Sequence, residues 1–503
     1  MSAVGLDAAP GTGAAATPPR ATEAGRTGRR ALASLRLHPA VAVVVGACAV
    51  LFRQAMRSAL AGDVYFHLAA GNWMLAHHAV IRTDVFSYTV RGTPWTADEW
   101  GFEYALAWLV RDVGDVSFWL VSAGCCTAAV VLGVATWRRN GAGWLWTAVL
   151  SCLATAGLLV GLAVRPQDPS YMLFAAELLL LALARRRALW LAAFPPLLLV
   201  WANVHGSYLL GLSLLALEVV WSVLPTTGGR LAVSTRLPTR AVAAALVASF
   251  AATLVNPHGL ALLAYDLHVS TSSELTSLVS EWQSPNFHDL FVLALVVAPL
   301  IYLLGTLGLS DRRVALEDVV VACGLLLATF HAVRFLPYLV LAWCAVLSRA
   351  SPLRRETIRP SLATVPLAAV LAGALLAGHH LPAGSPLRGR SSWATPVQAA
   401  AYLAHRPGRV FATYWWGDYL TYVGIPVFVD GRTDLYLGSG VLSTYSEVSG
   451  LSTGPDTVFR RFDVRYVLWS RESALATYLS HDPRWRLVLD SGPALVYEHL
   501  GTW

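Results

Sequence analysis

Apolar residues along this chain gather in long runs that are separated by short polar breaks. Eleven runs can be drawn, and their length predicts helices that cross a lipid bilayer. Several are shorter than the ~20 residues that a bilayer requires, so we predict about eleven transmembrane helices. The runs cover residues 37–60, 116–136, 143–164, 169–184, 188–204, 208–224, 241–255, 290–309, 314–330, 335–348 and 362–378.

The composition is also that of a membrane protein. Of the 503 residues, 56% are hydrophobic and only 13% are charged, and the mean hydropathy is +0.55. Soluble domains usually contain about 25% charged residues. We therefore predict a mainly α-helical polytopic membrane protein. Residues 1–36 are rich in Ala, Gly, Thr, Pro and Arg, which predicts a disordered tail before the transmembrane domain of residues 37–380.

Arginine is distributed unequally between the two sides of the predicted membrane domain. The formal charge of +7 comes entirely from Arg, because the chain contains no Lys. If the tail is cytoplasmic, most Arg residues between spans face the cytoplasm, as the positive-inside rule requires. An odd number of spans then places the C-terminal region outside. These inner residues are Arg138, Arg139, Arg185, Arg186, Arg187, Arg230, Arg236, Arg240, Arg312, Arg313, Arg349, Arg354, Arg355 and Arg359.

This pattern predicts a multi-pass protein of a bacterial plasma membrane with a cytoplasmic N-terminus. Because orientation explains the Arg residues, we expect no nucleic-acid partner. Arg53 and Arg57, near the outer end of the first span, break the rule. Either they extend toward the headgroups, which is the preferred interpretation, or they attract an anionic headgroup.

Unusual polar residues concentrate in the outer breaks. The longest break between spans, residues 61–115, contains several acids and ends in an apolar helical stretch that we expect at the lipid interface. Other outer turns contain His205 and Glu281. Ionisable groups at membrane depth usually mark a functional site, so we predict one on the outer face. Its candidate residues are Asp63, His67, Asp98, Glu99, Arg165, His258 and Arg334.

These residue types suit transfer chemistry on a phosphate-bearing lipid. A carboxylate at the membrane surface can act as a general base on a hydroxyl. Arg165 and Arg334, each at a span end, can clamp a phosphate and stabilise its leaving charge, and His258 is a further candidate for holding this phosphate. If Asp63, Asp98 and Glu99 converge, they can instead hold a divalent cation such as Mg²⁺ or Mn²⁺. The residues alone leave both alternatives open.

Residues 381–503 have the composition of a small α/β domain, which the orientation places outside the membrane. Its first polar stretch, residues 414–419, joins two Trp residues to an acid, and its second, residues 430–436, reads Asp-Gly-Arg-Thr-Asp-Leu-Tyr. The Trp pair suits either the binding of a sugar or peptide or a position at the bilayer interface. We predict strands near residues 410–413, 426–430, 466–469, 486–489 and 494–498, and helices near 396–404, 456–462 and 472–479.

These features together resemble the GT-C superfamily of integral-membrane glycosyltransferases, which use polyprenyl-phosphate-linked sugars. Members have many spans, a long first outer loop with an Asp or Asp-Glu after the first helix, and often an extracytoplasmic C-terminal domain. Asp63 stands at the position of the family's catalytic acid, and Asp98-Glu99 lies in the same loop. The resemblance implies that Asp63 is the base or metal-linked acid of sugar transfer, and it covers nearly the whole chain beyond residue 36.

Residues 414–434 further resemble the Trp-Trp-Asp region of the oligosaccharyltransferase catalytic subunit, which recognises the acceptor peptide. Gly417 departs from that pattern because it separates Trp416 from Asp418, so asparagine glycosylation is not inferred. The chain looks closer to a bacterial branch of GT-C-like proteins. The acceptor-binding residues implied by the resemblance are Trp415, Trp416, Asp418, Asp430, Arg432 and Asp434.

Our leading hypothesis is a membrane glycosyltransferase that moves a sugar from a polyprenyl-phosphate carrier to an envelope glycan, lipid or protein acceptor. Its partners would be that donor, the acceptor and the membrane lipids. One rival is a transporter or lipid flippase, for which Glu177 and Glu218 are the chief mid-span candidates. The other rival is a catalytically inactive scaffold of the same fold that presents its outer domain to a partner.

Overall fold

The structure is a computed structural model that describes residues 37–57, 62–225, 231–233, 237–309, 314–350, 358–377 and 395–503. It is mainly helical, at 65%. The helices of the first 350 residues are α1 Ala40–Arg57, α2 Val64–His77, α3 Trp100–Val113, α4 Val116–Arg139, α5 Trp144–Gly161, α6 Gln167–Ala184, α7 Phe194–Ala202, α8 Tyr208–Val223, α9 Thr239–Thr253, α10 Leu260–Ser270, α11 Ser273–Leu278, α12 Leu290–Leu309, α13 Leu316–His331 and α14 Leu336–Arg349.

Two short strands and a C-terminal group of elements complete the described chain. These elements are β1 Leu231–Ala232, β2 Val314–Ala315, α15 Thr364–Leu376, α16 Val397–Leu403, β3 Arg409–Ala412, α17 Tyr414–Tyr422, α18 Val441–Ser449, α19 Pro455–Arg461, β4 Val464–Ser470, α20 Ala474–His481, β5 Trp485–Asp490 and β6 Ala494–His499. Strands β1 and β2 pair in parallel and join two of the breaks between helices.

A helix occupies each of the eleven apolar runs, with ends shifted by a few residues. The run at residues 188–204 begins as a 3-10 turn, Ala188–Ala193, and becomes α-helical where prolines occupy its first turn. Within the described residues, three helices (α4, α5 and α12) are long and apolar enough to cross a bilayer by length and composition. Six further apolar helices have 10–17 residues. The number of crossings therefore stays a prediction.

The helical domain packs around α14. Most of the side chains of α14 are buried, and Trp343 is fully enclosed. Trp137 of α4 and Trp201 of α7 belong to the same hydrophobic core. Near the C-terminal end of α1, Arg53 Nη1 donates a hydrogen bond to the Leu375 carbonyl of α15, 2.8 Å away.

The first outer loop contains two packed helices, α2 and α3. Gly71 makes their close approach possible, because a Cβ at this position would lie 2.1 Å from the Glu103 carbonyl oxygen. The buried face of α3 includes Phe102 and Leu106, which join the core beneath the C-terminal domain. The opposite face exposes Trp108. The predicted helix in this stretch thus packs on protein along one side.

The C-terminal domain contains a four-stranded mixed sheet in the order β3-β4-β6-β5. Strands β3 and β4 are parallel, whereas β4, β6 and β5 pair antiparallel. Four of the five predicted strands are present, but residues 426–430 do not form one. Instead, Val427 exchanges backbone hydrogen bonds with Phe86 and Tyr88, so this segment pairs with the first outer loop. That loop is distant in sequence, which explains the wrong prediction.

Some predictions lie outside the described residues. These are the tail of residues 1–36, the domain boundary at residues 380–381, the side chain of Arg57, and the inner residues Arg230, Arg236, Arg312, Arg313, Arg354 and Arg355.

Candidate active site

A cavity of about 320 Å³ lies where residues 62–115 (the predicted first outer loop), the ends of several helices and the C-terminal domain meet. It collects residues that are far apart in sequence, because α2, α3 and the loop after α17 converge on the same space. The predicted site residues that line it are Asp63, His67, Asp98, Glu99, Arg165, Arg334 and Asp434.

One side of the cavity contains an acid–arginine–acid arrangement. Asp63 immediately precedes α2, and its side chain lies 3.0 Å from Arg165 Nε instead of capping the helix. Arg165 Nη1 also pairs with Glu281. Burial alone would lower the pKa of Arg165, but Asp63 and Glu281 outweigh it and raise that pKa above its usual range. A permanent positive charge therefore lies beside Asp63.

A line of buried acids and imidazoles forms a second side. His67 Nδ1 lies 3.2 Å from Glu103 Oε1, and His67 Nε2 lies 3.8 Å from Glu99 Oε2. The other oxygen of Glu99 lies 3.6 Å from His205 Nε2. Burial lowers the pKa of His67 to about 3 and raises the pKa of Glu103 to about 8. Both groups are therefore mainly uncharged at neutral pH.

Arg334 lines the cavity beside an imidazole and an indole ring. Its Nη2 lies 3.2 Å from His205 Nε2, and its guanidinium stacks 4.4 Å from the Trp282 ring centroid. Within the described chain, no carboxylate lies within 4.0 Å of Arg334. Because burial and the neighbouring Arg334 lower the pKa of His205, this ring adds no competing positive charge.

The remaining side of the cavity is acidic. Burial, followed by repulsion from Glu99 and Asp266, raises the pKa of Asp98 well above its usual range. Burial also raises the pKa of Asp434, although Tyr265 donates a hydrogen bond to this carboxylate. Asp266 is 5% exposed, and its Oδ2 has no hydrogen-bond partner among the described groups. Polar groups of a ligand would therefore find acceptors here.

The cation alternative depends on whether the acids converge. Among the described residues, no group of three or more His, Cys, Asp or Glu side chains is arranged to hold a metal ion. Asp63 instead pairs with Arg165, while Glu99 lies between two histidines. Asp63 and Glu99 therefore have different neighbours in the described structure.

The architecture is shared with solved membrane proteins. The apo oligosaccharyltransferase of Archaeoglobus fulgidus matches at a TM-score of 0.55 and 10% identity, over 86% of this chain and 69% of that chain. Apo ArnT from Cupriavidus metallidurans matches at 0.52 and 13% identity, over 94% of this chain and 98% of that chain. Both are membrane glycosyltransferases of the GT-C superfamily. The protein has the GT-C fold.

The predicted resemblance is thus confirmed at the level of the fold. The archaeal oligosaccharyltransferase also matches in complex with an inhibitory peptide and a dolichol-phosphate, at a TM-score of 0.52 and 10% identity, over 88% of this chain and 70% of that chain. No protein-family model and no curated protein sequence matches the chain. The chemistry of this chain therefore has to be inferred from its own site residues.

Two predicted acceptor residues, Asp430 and Arg432, form a fully buried clamp beside the GT-C cavity. Arg432 Nη1 lies 2.7 Å from Asp84 Oδ1, and Arg432 Nη2 lies 2.7 Å from Asp430 Oδ2. Thr421 and Tyr436 donate further hydrogen bonds to Asp430. The clamp joins the first outer loop to the C-terminal domain, and none of its three charged groups lines the cavity. Its contacts are those of a structural element.

Three other predicted acceptor residues, Trp415, Trp416 and Asp418, lie on α17 and differ in how deeply they are buried. Trp416 is fully buried in the hydrophobic core, so it does not face a ligand. Trp415 is 41% exposed. Asp418 is buried and accepts a hydrogen bond from the Gly431 amide at 2.5 Å. Trp415 and Asp418 both lie against Gly62, directly before Asp63. Only this part of the Trp-Trp-Gly-Asp stretch adjoins the GT-C cavity.

His258 lies outside the cavity. Its backbone amide donates to the Asn256 side chain at 2.7 Å, which forms a tight turn before α10. Burial and the neighbouring Arg82 lower the pKa of His258. The imidazole is therefore neutral and is not placed to hold a phosphate in this cavity.

The candidate residues chosen from the sequence leave out several that line the cavity, among them His205, Asp266 and Glu281, and also Glu103, which contacts His67 behind it. Glu103 lies four residues after Glu99, a spacing that places both acids on one helical face and was a usable signal. Asp266 interrupts the apolar helix α10, and an acid in such a helix is a recognised functional signal. His205 and Glu281 stand in outer turns, but only the tertiary structure reveals which partners they contact.

Proposed function

We propose that the protein is a membrane glycosyltransferase that transfers a sugar from a polyprenyl-phosphate carrier to an acceptor outside the cytoplasm. The proposal rests on one observation. In a GT-C fold, one cavity holds two arginines together with three acids of the first outer loop, Asp63, Asp98 and Glu99.

The charges of the cavity support a donor that carries a phosphate. Arg334 has no described carboxylate within 4.0 Å, and guanidinium groups bind phosphate oxygens in a bidentate manner. Arg165 lies on the same cavity between Asp63 and Glu281. The solved oligosaccharyltransferase complex that shares this fold contains a dolichol-phosphate. A polyprenyl phosphate is the corresponding carrier in a bacterial membrane, and we propose it here.

The transfer step uses the acids and arginines in separate roles. An acid takes the proton of the acceptor hydroxyl, the freed oxygen attacks the anomeric carbon, and the bond from that carbon to the phosphate oxygen breaks. Arg165 and Arg334 stabilise the phosphate that leaves. Asp63 is the acid that the family resemblance assigns to this reaction, with His67, Asp98 and Glu99 in support.

The acceptor would approach along the C-terminal domain. Asp434 lines the cavity, while the exposed Trp415 and the buried Asp418 adjoin the Gly62–Asp63 turn. An aromatic face beside carboxylates suits a sugar or a peptide. We therefore propose an envelope glycan, lipid or protein as the acceptor, on the outer face of a bacterial plasma membrane with the N-terminus in the cytoplasm.

The Asp63→Asn substitution tests this function. Protein in lipid nanodiscs is supplied with a panel of polyprenyl-phosphate sugars, and release of polyprenyl phosphate is measured by mass spectrometry. We expect the wild type to release polyprenyl phosphate and the Asp63→Asn protein to release it more slowly by ~10²–10⁴. The substitution removes either the acid that takes the proton or the carboxylate that holds Arg165 in place.

Asp112→Asn is the matched control. Asp112 is an exposed acid of the same outer loop that pairs with Arg111 and lies outside the cavity, so its loss should leave turnover unchanged. If Asp63→Asn also retains turnover, the catalytic assignment is wrong and the inactive scaffold becomes the better hypothesis. Accumulation of donor inside vesicles without any released carrier would instead favour the transporter.

A further inference from the structure

Each oxygen of the Glu99 carboxylate has a histidine ring beside it. One of its oxygens faces the His205 ring at 3.6 Å, and the other faces the His67 ring at 3.8 Å. Glu103 holds His67 from the far side at 3.2 Å. His205 is fixed in turn by Ser207, whose hydroxyl lies 2.7 Å from His205 Nδ1. The carboxylate therefore lies between two anchored imidazoles, just beyond hydrogen-bond distance of each, while its side chain still borders the cavity.

Asp63 has different surroundings. Its carboxylate pairs with Arg165 at 3.0 Å, and Arg165 reaches Glu281 with another nitrogen. A carboxylate oxygen that is paired with a guanidinium is poorly placed to receive a proton from a hydroxyl. The same pairing holds the Arg165 guanidinium in a position where it can bind a phosphate. No Arg lies within 4.0 Å of Glu99 in the described chain.

Resting on the function proposed above, we infer that Glu99 receives the proton of the incoming hydroxyl, that His67 and His205 orient it, and that Asp63 serves to position Arg165. Glu103 does not line the cavity, acts through its contact with His67 and its charge near Glu99, and is a positioning residue.

The bonds and charges of this step balance. The acceptor O–H bond breaks and its proton moves to a Glu99 oxygen, while the acceptor oxygen forms a bond to the anomeric carbon. The bond between that carbon and the phosphate oxygen breaks, and its electron pair leaves with the phosphate beside Arg334 and Arg165. Glu99 then returns the proton to water that enters the cavity.

The electrostatic surroundings suit this role. Burial and the repulsion of Glu103 and Asp434 raise the pKa of Glu99 well above its usual range, and Arg334 only partly opposes them. A general base works best when its pKa lies near the pH of the reaction. The titratable and charged groups that surround Glu99 are Asp63, His67, Asp98, Glu103, His205, Arg334 and Asp434.

Water and azide can each take the place of the natural acceptor in the assay. Comparing their rates distinguishes a residue that accepts a proton from a residue that only binds the substrate. Water must lose a proton when it attacks the donor, whereas azide attacks without losing one. For Glu99→Gln, we expect hydrolysis of the polyprenyl-phosphate sugar to fall by ~10²–10⁴, while glycosyl azide forms at close to the wild-type rate. For Asp63→Asn, both products should decline, because the phosphate site is disturbed. Asp112→Asn should behave as wild type.

The two proposals fail in different ways. A wild type that cleaves no member of the donor panel contradicts the proposed function. A wild type that cleaves the donor, together with Glu99→Gln protein that hydrolyses normally or loses azide transfer equally, overturns the role of Glu99.

The positioning role of Glu103 is tested by the pH profile of hydrolysis. Glu103 becomes negatively charged only above about pH 8, and that charge helps to raise the pKa of Glu99, so Glu103→Gln should move the part of the rising limb of kcat/KM above this pH to lower pH. A limb that stays in place while the rate falls would show that Glu103 has only a structural role.

Discussion

At the scale of single residues, the cavity concentrates acids whose charged forms are costly to bury. The pKa of Asp98 and of Glu99 is raised mainly by burial, with repulsion from neighbouring acids adding to it. Within the described chain, neither acid pairs with Arg, whereas Asp63 does. A fold selected for stability alone would pair or expose such groups. Their arrangement therefore points to chemistry in which a carboxyl group changes its protonation.

Glu103 should make stability depend on pH. Its pKa rises from an ordinary value of 4.5 to about 8 on folding, so the native state binds this proton more tightly than the unfolded chain. This contribution is complete below pH 4.5 and is lost as the pH rises through about 8. Glu103→Gln should therefore be more stable than the wild type at pH 9, by roughly 1–4 kcal/mol, and closer to it at pH 5. Thermal unfolding in detergent at both pH values measures this, and a difference independent of pH would contradict it.

At the scale of elements, α17 explains why the chain departs from the Trp-Trp-Asp pattern. Gly417 faces the segment that precedes the clamp, and a Cβ there would lie 2.2 Å from the Val429 carbonyl oxygen. The helix and this segment can approach only because the side chain is absent. Their approach allows the Asp418 carboxylate to accept a hydrogen bond from the Gly431 amide. The inserted glycine is thus a packing requirement of this fold.

Gly417→Ala should separate α17 from the clamp segment. We expect it to destabilise the protein by ~1–3 kcal/mol, because overpacking forces the backbone to shift, and to reduce transfer together with stability. Gly454→Ala is the control, since no described atom lies within 4 Å of the Cβ that this substitution adds. Thermal unfolding and donor turnover of both variants give the comparison. Equal stability of the two variants would rule out the packing explanation.

At the scale of the whole molecule, the first outer loop and the C-terminal domain both contribute residues to the cavity. Asp98 and Glu99 come from the loop, whereas Asp434 comes from the domain. The Asp84–Arg432–Asp430 clamp and the backbone pairing of Val427 with the loop join these parts. The clamp therefore supports the site without facing it.

Arg432→Met should break this junction. Its loss leaves Asp84 and Asp430 buried without a cation, which costs about 3–5 kcal/mol when a buried pair is broken. We expect lower thermal stability, faster proteolysis of the chain segments at the junction of the loop and the C-terminal domain, and loss of transfer. Arg484→Met is the control, because Arg484 is 47% exposed and its ion pairs lie at the surface. A stable, active Arg432→Met protein would show that the docking does not depend on the clamp.

Local pattern predicted most elements because helices and sheet strands obey short-range periodicity. Each apolar run contains a helix, and four of the five predicted strands form. The failure at residues 426–430 has a long-range cause, since Val427 pairs with Phe86 and Tyr88 across more than three hundred residues. Likewise, residues 414–419 were predicted only as a polar stretch, but they form the start of α17. This helix forms because its buried side, including Trp416, packs on the loop helices.

The sequence by itself determined the helical elements, the C-terminal α/β region, the resemblance to GT-C proteins and most candidate acids of the first outer loop. These properties depend on composition, spacing and local periodicity, which act over a few residues. Only the tertiary structure decided that Asp63 pairs with Arg165, that Glu99 lies between two histidines, and that Arg432 supports the site from within the protein. Burial and charge pairing are set by groups that the fold brings together from distant parts of the chain.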